Sequence, residues 1–422
     1  MSPDLPFDII ALIVDIVGEN EETDLLKKLA LISHSLNEIC SKHLFAIVDL
    51  YSARPFFPSS SSSKKGFVKL LKSRPEVVKY IRKLKYNVTD NDDDDDLLSP
   101  ILSNFLPTFS CLHSLTITAS RREWNELNPS LTSAFLFLMR LPTINHISLS
   151  YIQKFPLSSL IQSVNLLRLD IHHLCYYNRL GFYGIREKVS PEIVAGIMPK
   201  IRQIYTSGSS RLTTKLLHAK MRDGRPAFNF MDLRQFSISF QEFDDGQNIQ
   251  YLLHNAKLLE IFRLSVECGR KIVGLLSNSP SARTLKVLDL SVSLWYQSAN
   301  GSVILGGTCE ELEALAGHNM LKAFKIRVDI NSNDSISEEG FIGSAFKKME
   351  NALVKPGWSA LRRVSFEVPI TGRNCKMLCE ALQSLPHKYL NRLSNLESVT
   401  FKYQAYLPDY PNWHFDPPSV EC

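Results

Sequence analysis

One six-residue phrase recurs along the chain and constrains its fold more than any other feature of the sequence. The copies have apolar residues at positions 1, 4 and 6, with mostly polar residues between them; those at 81 and 201 are weaker, and Thr206 stands at position 6 of the second. Because side chains alternate between the two faces of a strand, positions 4 and 6 point to the same side. The copies start 22 to 40 residues apart and read IRKLKY at 81, LHSLTI at 112, INHISL at 144, LLRLDI at 166, IRQIYT at 201, LRQFSI at 233, LEIFRL at 259, LKVLDL at 285, LKAFKI at 321, LRRVSF at 361 and LESVTF at 396.

The segments between these copies carry helical patterns, as at Glu310–Ala316 and Glu339–Ala352. A strand followed by a helix, in a unit too small to bury its own apolar face, predicts a solenoid of stacked repeats. The expected fold class is therefore α/β, with a parallel sheet running through residues 81–405. An ordinary α/β domain with parallel strands would produce the same alternation and remains the alternative.

The repeated phrase resembles the irregular, longer kind of leucine-rich repeat. The resemblance implies a curved solenoid whose strands line a concave face. The chain departs from that family at the turn after each strand, where an Asn or Cys is expected and residues such as Ser120, Gln241 and Ser293 stand instead. The backbone groups of these turns must therefore be satisfied in another way.

Three segments interrupt the pattern. Residues 51–80 are expected to be a linker and loop leading into the repeats, and Pro58–Gly66 within them reads as a solvated loop. The acidic run Asp90–Asp96 repels itself and predicts a disordered insertion. Residues 406–422, rich in Pro and aromatic residues, predict a flexible tail.

The segment LPFDIIALIVDIVGE, which begins at Leu5, predicts a helix with an apolar face for a partner. It is shorter than the ~20 apolar residues that span a membrane, and it lacks the basic region of a secretory signal. Eight scattered cysteines without CxxC spacing fit a reducing compartment, so we expect a cytoplasmic or nuclear protein without membrane contact. Residues 1–50 hold 3 Lys/Arg against 9 Asp/Glu, which contrasts with the net charge of +5 for the whole chain.

Residues 1–50 predict a helical domain that resembles the F-box. Leu5-Pro6 followed by Ile9, Ile13 and Val17 matches the first half of its signature, and the leucines from Leu25 onward match the second. Leu36 stands where many F-boxes carry Trp. The resemblance implies the substrate-recognition subunit of a cullin–RING (SCF-type) ubiquitin ligase, docked on a Skp-family adaptor. The residues expected at the adaptor are Leu5, Pro6, Ile9, Ile10, Ile13, Val17, Leu25, Leu26, Leu29, Ile32 and Leu36.

One reading competes with this hypothesis. The same helices could merely cover the end of the solenoid, since capping buries the same apolar faces. The protein would then be an interaction scaffold without a ligase, and adaptor binding separates the two hypotheses.

Strand alternation places a set of polar residues on the expected concave face, where a protein target would bind. Arginines in such positions suit an acidic or phosphorylated target, because they can pair with its oxygens in a bidentate manner. A solvated sheet face without a dedicated ligand remains the alternative. The proposed target-binding residues are Arg168, Asp170, Arg263, Lys325, Arg327, Arg363 and Glu367.

Signatures of catalysis and cofactor binding are absent from the sequence. It contains no GxxxxGK[ST], GxSxG or HExxH motif. His172, His173 and Cys175 follow a repeat strand whose alternation separates neighbouring side chains, so no metal site is expected. Basic residues near Lys83 form only a short patch, which argues against nucleic acid. We therefore expect a protein without catalytic residues, metal or cofactor.

Overall fold

The chain is described from a computed structural model, in which two compact units are defined by residues Met1–Asn229 and Phe230–Cys422. The structure describes residues 6–20, 22–50, 62–88, 104–119, 122–173, 198–221, 224–240, 245–267, 272–294, 307–332, 338–372 and 375–408. Leu5, the acidic run at 90–96 and residues 409–422 of the expected tail lie outside these ranges.

The described part of the first unit combines helices with six strands. Its strands are β1 (Ile47–Leu50), β2 (Lys83–Val88), β3 (Ser114–Ala119), β4 (His146–Ser150), β5 (Arg168–His172) and β6 (Gln203–Ser207). Its α-helices are α1 (Phe7–Glu19), α2 (Thr23–Ala30), α3 (His34–Leu44), α4 (Ser62–Ser73), α5 (Pro129–Met139), α6 (Ser158–Ile161) and α7 (Ser210–Leu217). Short 3₁₀-helices are Pro75–Tyr80, Leu106–Thr108 and Trp124–Glu126.

The described part of the second unit repeats this alternation. Its strands are β7 (Gln235–Phe240), β8 (Ile261–Glu267), β9 (Val287–Leu294), β10 (Ala323–Ser332), β11 (Arg363–Gly372) and β12 (Thr400–Tyr406). Its α-helices are α8 (Asp245–Asn255), α9 (Thr308–Leu315), α10 (Glu338–Leu353), α11 (Cys375–Gln383), α12 (Leu385–Tyr389) and α13 (Asn391–Ser394), with a 3₁₀-helix at Pro280–Arg283.

Within each unit every strand pairs in parallel with the strand that follows it in sequence. Parallel neighbours need a crossover between them, and helical segments lie in the described part of every crossover within the units except the one between β5 and β6. The predicted α/β class with parallel strands is confirmed, and each copy of the phrase overlaps a strand. The curved solenoid stays a prediction.

The repeated phrase builds the core because equivalent residues of successive strands lie side by side. Leu115 pairs with Ile147 in the β3–β4 register, and Ile147 pairs with Leu169 in the next strand. All three side chains are fully buried. Thr206 occupies the equivalent of position 6 in the weaker copy at 201, and its buried hydroxyl has no hydrogen-bond partner. The polar residue therefore weakens this copy without changing its place in the sheet.

Part of the expected loop at Pro58–Gly66 is helical, which corrects that prediction. Helix α4 begins at Ser62, and the 3₁₀-helix Pro75–Tyr80 follows it. Phe67 and Leu71, one turn apart on α4, are buried. Two apolar contacts at i and i+4 thus outweigh the polar composition of the serine-rich stretch.

Two buried glutamates satisfy backbone groups of connecting segments in the second unit. Glu311 of α9 accepts hydrogen bonds from the backbone N–H groups of Gly274, Leu276 and Ser277, at 2.5–2.6 Å. Glu350 of α10 accepts in the same way from Arg392 and Leu393, at 2.6 and 3.2 Å. Side chains from helices therefore satisfy backbone N–H groups of these connecting segments.

We expect Glu350→Ala to lower the free energy of unfolding by about 2–4 kcal/mol, because it leaves buried N–H groups unpaired. Chemical denaturation of the full chain measures this change. Glu313→Ala is the matched control, since Glu313 is half-exposed and pairs with Lys355 at the surface. The control should cost less than about 1 kcal/mol. Equal costs for both variants would contradict the role assigned to Glu350.

Candidate functional site

Helices α1, α2 and α3 form a small helical unit with its own core. Val14, Leu26, Ile39 and Cys40 are its buried apolar residues. The side chains that pack around them and keep part of their surface exposed are Ala11, Val17, Leu29, Ala30, Leu36 and Leu44. Four buried apolar side chains make a minimal core, so this unit depends on further contacts for its stability.

Helix α1 is apolar on its outward side as well as on the side that faces the core. Ile9, Leu12, Ile13 and Ile16 of α1 are 44–60% exposed and lie on one side of the helix. We call these four residues the α1 face. Phe7 is 51% exposed but lies at the start of α1, on the same side as the buried Val14. A soluble helix ordinarily presents polar side chains in such positions, so a contiguous apolar face indicates an interaction surface.

The turn between α2 and α3 exposes further apolar side chains. Leu31 is 88% exposed and Ile32 is 68% exposed. Ser33 follows them and caps α3, because its hydroxyl accepts a hydrogen bond from the Leu36 N–H at 3.2 Å. The cap fixes where α3 begins and leaves the two preceding residues in the turn.

Close contact between α1 and α3 sets the direction of the α1 face. Asp15 Oδ1 lies 2.7 Å from His43 Nε2. A Cβ atom at Gly18 would lie 2.2 Å from the Nδ1 atom of the same imidazole. Glycine at this position therefore allows the two helices to approach while the opposite side of α1 stays open.

The described residues among the eleven expected at the adaptor are exposed, half-buried or buried. Ile9, Ile13, Leu25 and Ile32 are exposed, as is Pro6 at the start of α1. Ile10, Val17, Leu29 and Leu36 are half-buried, and Leu5 lies outside the described residues.

Leu26 requires a correction, because it is 2% exposed and belongs to the core of the helical unit. Sequence analysis also missed Phe7, Leu12 and Leu31 as exposed apolar residues. Helical periodicity assigns one apolar stripe to the core, but α1 has two, and periodicity alone does not say which one faces outward.

The polar side of β3–β5 carries a chain of hydrogen bonds that crosses three strands. Ser114 Oγ lies 2.9 Å from His146 Nδ1, and His146 Nε2 lies 2.8 Å from Asp170 Oδ2. Arg168 donates from Nε and Nη2 to the same carboxylate at 2.9–3.1 Å. Ser114 and Asp170 are buried, whereas His146 is half-buried.

Asp170 is ionised in this arrangement. Burial raises the pKa of its carboxyl, but hydrogen bonds from His146 and Arg168 outweigh burial and hold the pKa below its usual range. Asp170 was expected to meet a target from an exposed position. Its burial and its two partners instead make it the centre of an internal network, with Arg168 committed to it.

The chain Ser114–His146–Asp170 contains the residue types of a hydrolytic triad but not its geometry. In that triad the serine bonds Nε2 and the aspartate bonds Nδ1, which is the reverse of the arrangement here. The backbone N–H of Ser114 already donates to the Arg82 carbonyl at 3.1 Å, so it does not stabilise an oxyanion. The network joins β3, β4 and β5 through side-chain hydrogen bonds.

The polar side of the second unit brings together the remaining residues expected at a target. Most of them pair with a neighbour: Lys325 lies 2.7 Å from Glu367, and Arg263 lies 3.8 Å from Asp289. Arg327 pairs in the same way with Asp329, at 2.8 Å. Arg363 is exposed and has no such partner among the described side chains.

The carboxyl group of Asp289 on this face has a shifted pKa. Burial raises its pKa above the usual range, although Lys325 and Arg263 act in the opposite direction. Within the described residues, no cluster of three or more His, Cys, Asp or Glu side chains is placed to hold a metal ion.

Comparison with known proteins gives no relative for this chain: no protein-family model matches it, and no curated protein is similar to it. Among the described helices, none is both long enough and apolar enough to cross a bilayer. The functional argument therefore rests on the surfaces described above.

We predict that Asp170→Asn destabilises the protein in a pH-dependent way. A carboxyl with a folded-state pKa below its unfolded value of about 3.9 stabilises the fold above that value. This contribution is lost as the pH falls through the folded-state pKa. The difference in unfolding free energy between wild type and variant should be about 1–3 kcal/mol at pH 7 and shrink below about pH 4. Chemical denaturation across pH 3–7 measures it.

Asp24→Asn is the matched control for this experiment. Asp24 forms an exposed pair with Lys27 at 3.2 Å. Its replacement should change stability by less than about 1 kcal/mol at every pH. A difference for Asp170→Asn that stays constant from pH 7 to pH 3 would contradict an ionised Asp170.

Proposed function

We propose that this chain is the substrate-recognition subunit of an SCF-type cullin–RING ubiquitin ligase. In this proposal the helical unit docks on a Skp-family adaptor, and through it on a cullin, while polar sheet faces hold a protein target. The chain itself makes and breaks no bond. It acts by keeping the target close to the ubiquitin-transfer machinery, which raises the effective concentration of one for the other.

The single observation that carries the proposal is the exposed α1 face. Fully burying one large apolar side chain contributes about 1.5–3 kcal/mol. The six side chains of the α1 face and the Leu31–Ile32 turn are already partly covered, so burying each of them further contributes about 1–2 kcal/mol. Their sum of roughly 6–12 kcal/mol is comparable with the ~4–15 kcal/mol cost of association. Burial of these side chains can therefore offset the cost of association, and further contacts around them would set the affinity.

The alternative function is an interaction scaffold whose helices only cap the sheet. One observation favours a capping role for α3: it packs against the 3₁₀-helix Pro75–Tyr80. The Ala46 carbonyl, just after α3, accepts hydrogen bonds from the N–H groups of Arg82 and Lys83 at 2.8–2.9 Å. Capping through α3 and β1 leaves the α1 face exposed, so it does not explain why that face is apolar.

The proposal predicts that Ile9→Asp combined with Ile13→Asp abolishes co-purification with a Skp-family adaptor. The charges would enter the apolar interface and leave the buried side of α1 unchanged. Wild-type protein should form a one-to-one complex in size-exclusion chromatography. We expect the double variant to lose at least 100-fold in affinity while keeping its circular dichroism spectrum and melting temperature.

Leu258→Asp is the matched control, because Leu258 is an apolar residue of the second unit with 44% exposure, against 46% for Ile13. It should bind the adaptor as wild type does. Failure of the folded wild-type chain to bind would overturn the ligase proposal and favour the scaffold. Binding that survives the double variant would show that the α1 face is not the interface.

A further inference from the structure

Ser365 occupies the centre of a group of cations on the polar side of β10–β12. In the strand register it lies directly between Lys325 of β10 and Lys402 of β12. Arg363 precedes it by two residues on β11 and therefore points to the same side. Neighbouring strands are about 4.8 Å apart and alternate residues about 6.6 Å apart, so all three side chains can reach one small anion above Ser365.

Two of the three cations in this group have no ion-pair partner among the described side chains of the sheet. Arg363 and Lys402 are exposed, and no described side chain pairs with either of them. Lys325 reaches Glu367 at 2.7 Å, but its side chain remains 39% exposed. The hydroxyl of Ser365 is half-buried and makes no hydrogen bond within the described part of the chain. An unused donor thus lies among two unpaired cations and a lysine that is paired with Glu367.

The polar side of β7–β12 carries two more cations than carboxylates. Its described side chains include five cations (Arg263, Lys325, Arg327, Arg363 and Lys402) and three carboxylates (Asp289, Asp329 and Glu367). Each carboxylate has a cationic partner: Arg263, Arg327 and Lys325 respectively. The two cations that remain are Arg363 of β11 and Lys402 of β12.

We infer that the Lys325–Arg363–Ser365–Lys402 cluster binds a phosphoserine or phosphothreonine in a peptide segment of a partner protein. A phosphoryl group carries about −1.5 to −2 charges and three acceptor oxygens. It therefore matches the charge left by three cations and Glu367, together with one hydroxyl donor, better than a carboxylate does. This inference rests on the proposed function, in which that partner is the ligase target.

Nucleic acid fits the cluster less well than a phosphopeptide. A polynucleotide presents a continuous row of phosphates and requires a row of cations along its path. Two carboxylates interrupt the positive charge here. Glu367 lies two residues after Ser365 on β11, and Asp289 lies opposite Lys325 on β9. One discrete anion can avoid these carboxylates, whereas a nucleic-acid backbone would pass over them.

The test uses the full chain and an immobilised pool of 11-residue peptides with random flanks and a central phosphoserine. An identical pool with unmodified serine gives the background. We expect at least tenfold stronger binding to the phosphorylated pool. Arg363→Gln combined with Lys402→Gln should remove at least 90% of that difference. Lys257→Gln combined with Lys348→Gln, at two exposed lysines of the same unit, changes the net charge equally and should have no effect.

Ser365→Asp provides an independent measurement that needs no ligand. A carboxylate at this position would sit among the three cations, so it should raise the melting temperature at low salt and abolish phosphopeptide binding. The rise should disappear at 1 M NaCl. Ser239→Asp is the control, because its neighbour across the β7–β8 pair is Ser265 and no cation is opposite it.

Three results would overturn the inference. They are equal binding to both peptide pools, a glutamine pair that binds as wild type does, and tighter binding of a 20-nucleotide single strand than of the phosphorylated pool. None of these measurements includes the adaptor. If the chain binds the phosphopeptide but not the adaptor, this inference stands and the ligase proposal is wrong. If it binds the adaptor but not the phosphopeptide, the ligase proposal stands and this inference is wrong.

Discussion

Parallel pairing of strands is the constraint on which the rest of this structure depends. A parallel strand cannot return to its neighbour through a tight turn, so a crossover must separate each pair, and here helices supply most of it. Pairing in register also aligns equivalent positions of successive copies. Apolar positions therefore stack into one continuous core within each unit, as Leu115, Ile147 and Leu169 do. The polar positions stack equally well on the opposite side, and this places side chains far apart in sequence next to one another.

Two kinds of surface follow from this arrangement, and they differ in chemistry. The polar sides of the strands hold charges that largely neutralise one another, as in the Ser114–His146–Asp170 network and the Lys325–Glu367 pair. Such pairs rigidify the sheet and leave a few positions, such as Arg363, for recognition. The helical unit instead exposes apolar side chains next to a core of only four buried apolar residues. Docking would bury these exposed side chains and stabilise the helical unit, whereas most charged side chains on the polar sides of the strands already have partners.

The sequence predicts the strands well and the pairing of polar residues poorly, for a physical reason. Apolar positions 1, 4 and 6 identify each strand because burial requires the same residue type in every copy. Ser114, His146 and Arg168 share position 3, which predicts that they lie in one row, but their exact partners depend on rotamers and burial. Buried caps such as Glu350 join a helix to a segment about 40 residues away, and no local pattern records that contact. The helix that begins at Ser62 was missed because the serine-rich composition predicted a loop, whereas burial of Phe67 and Leu71 favours a helix.

Hydrogen exchange of the full chain, alone and with a Skp-family adaptor, tests the central claim most directly. Docking through the α1 face should slow exchange in Phe7–Glu19 and in the Leu31–Ile32 turn, and leave exchange in β7–β12 unchanged. Unchanged exchange in α1 at saturating adaptor, or protection confined to the strands, would contradict the assignment of this face to the adaptor.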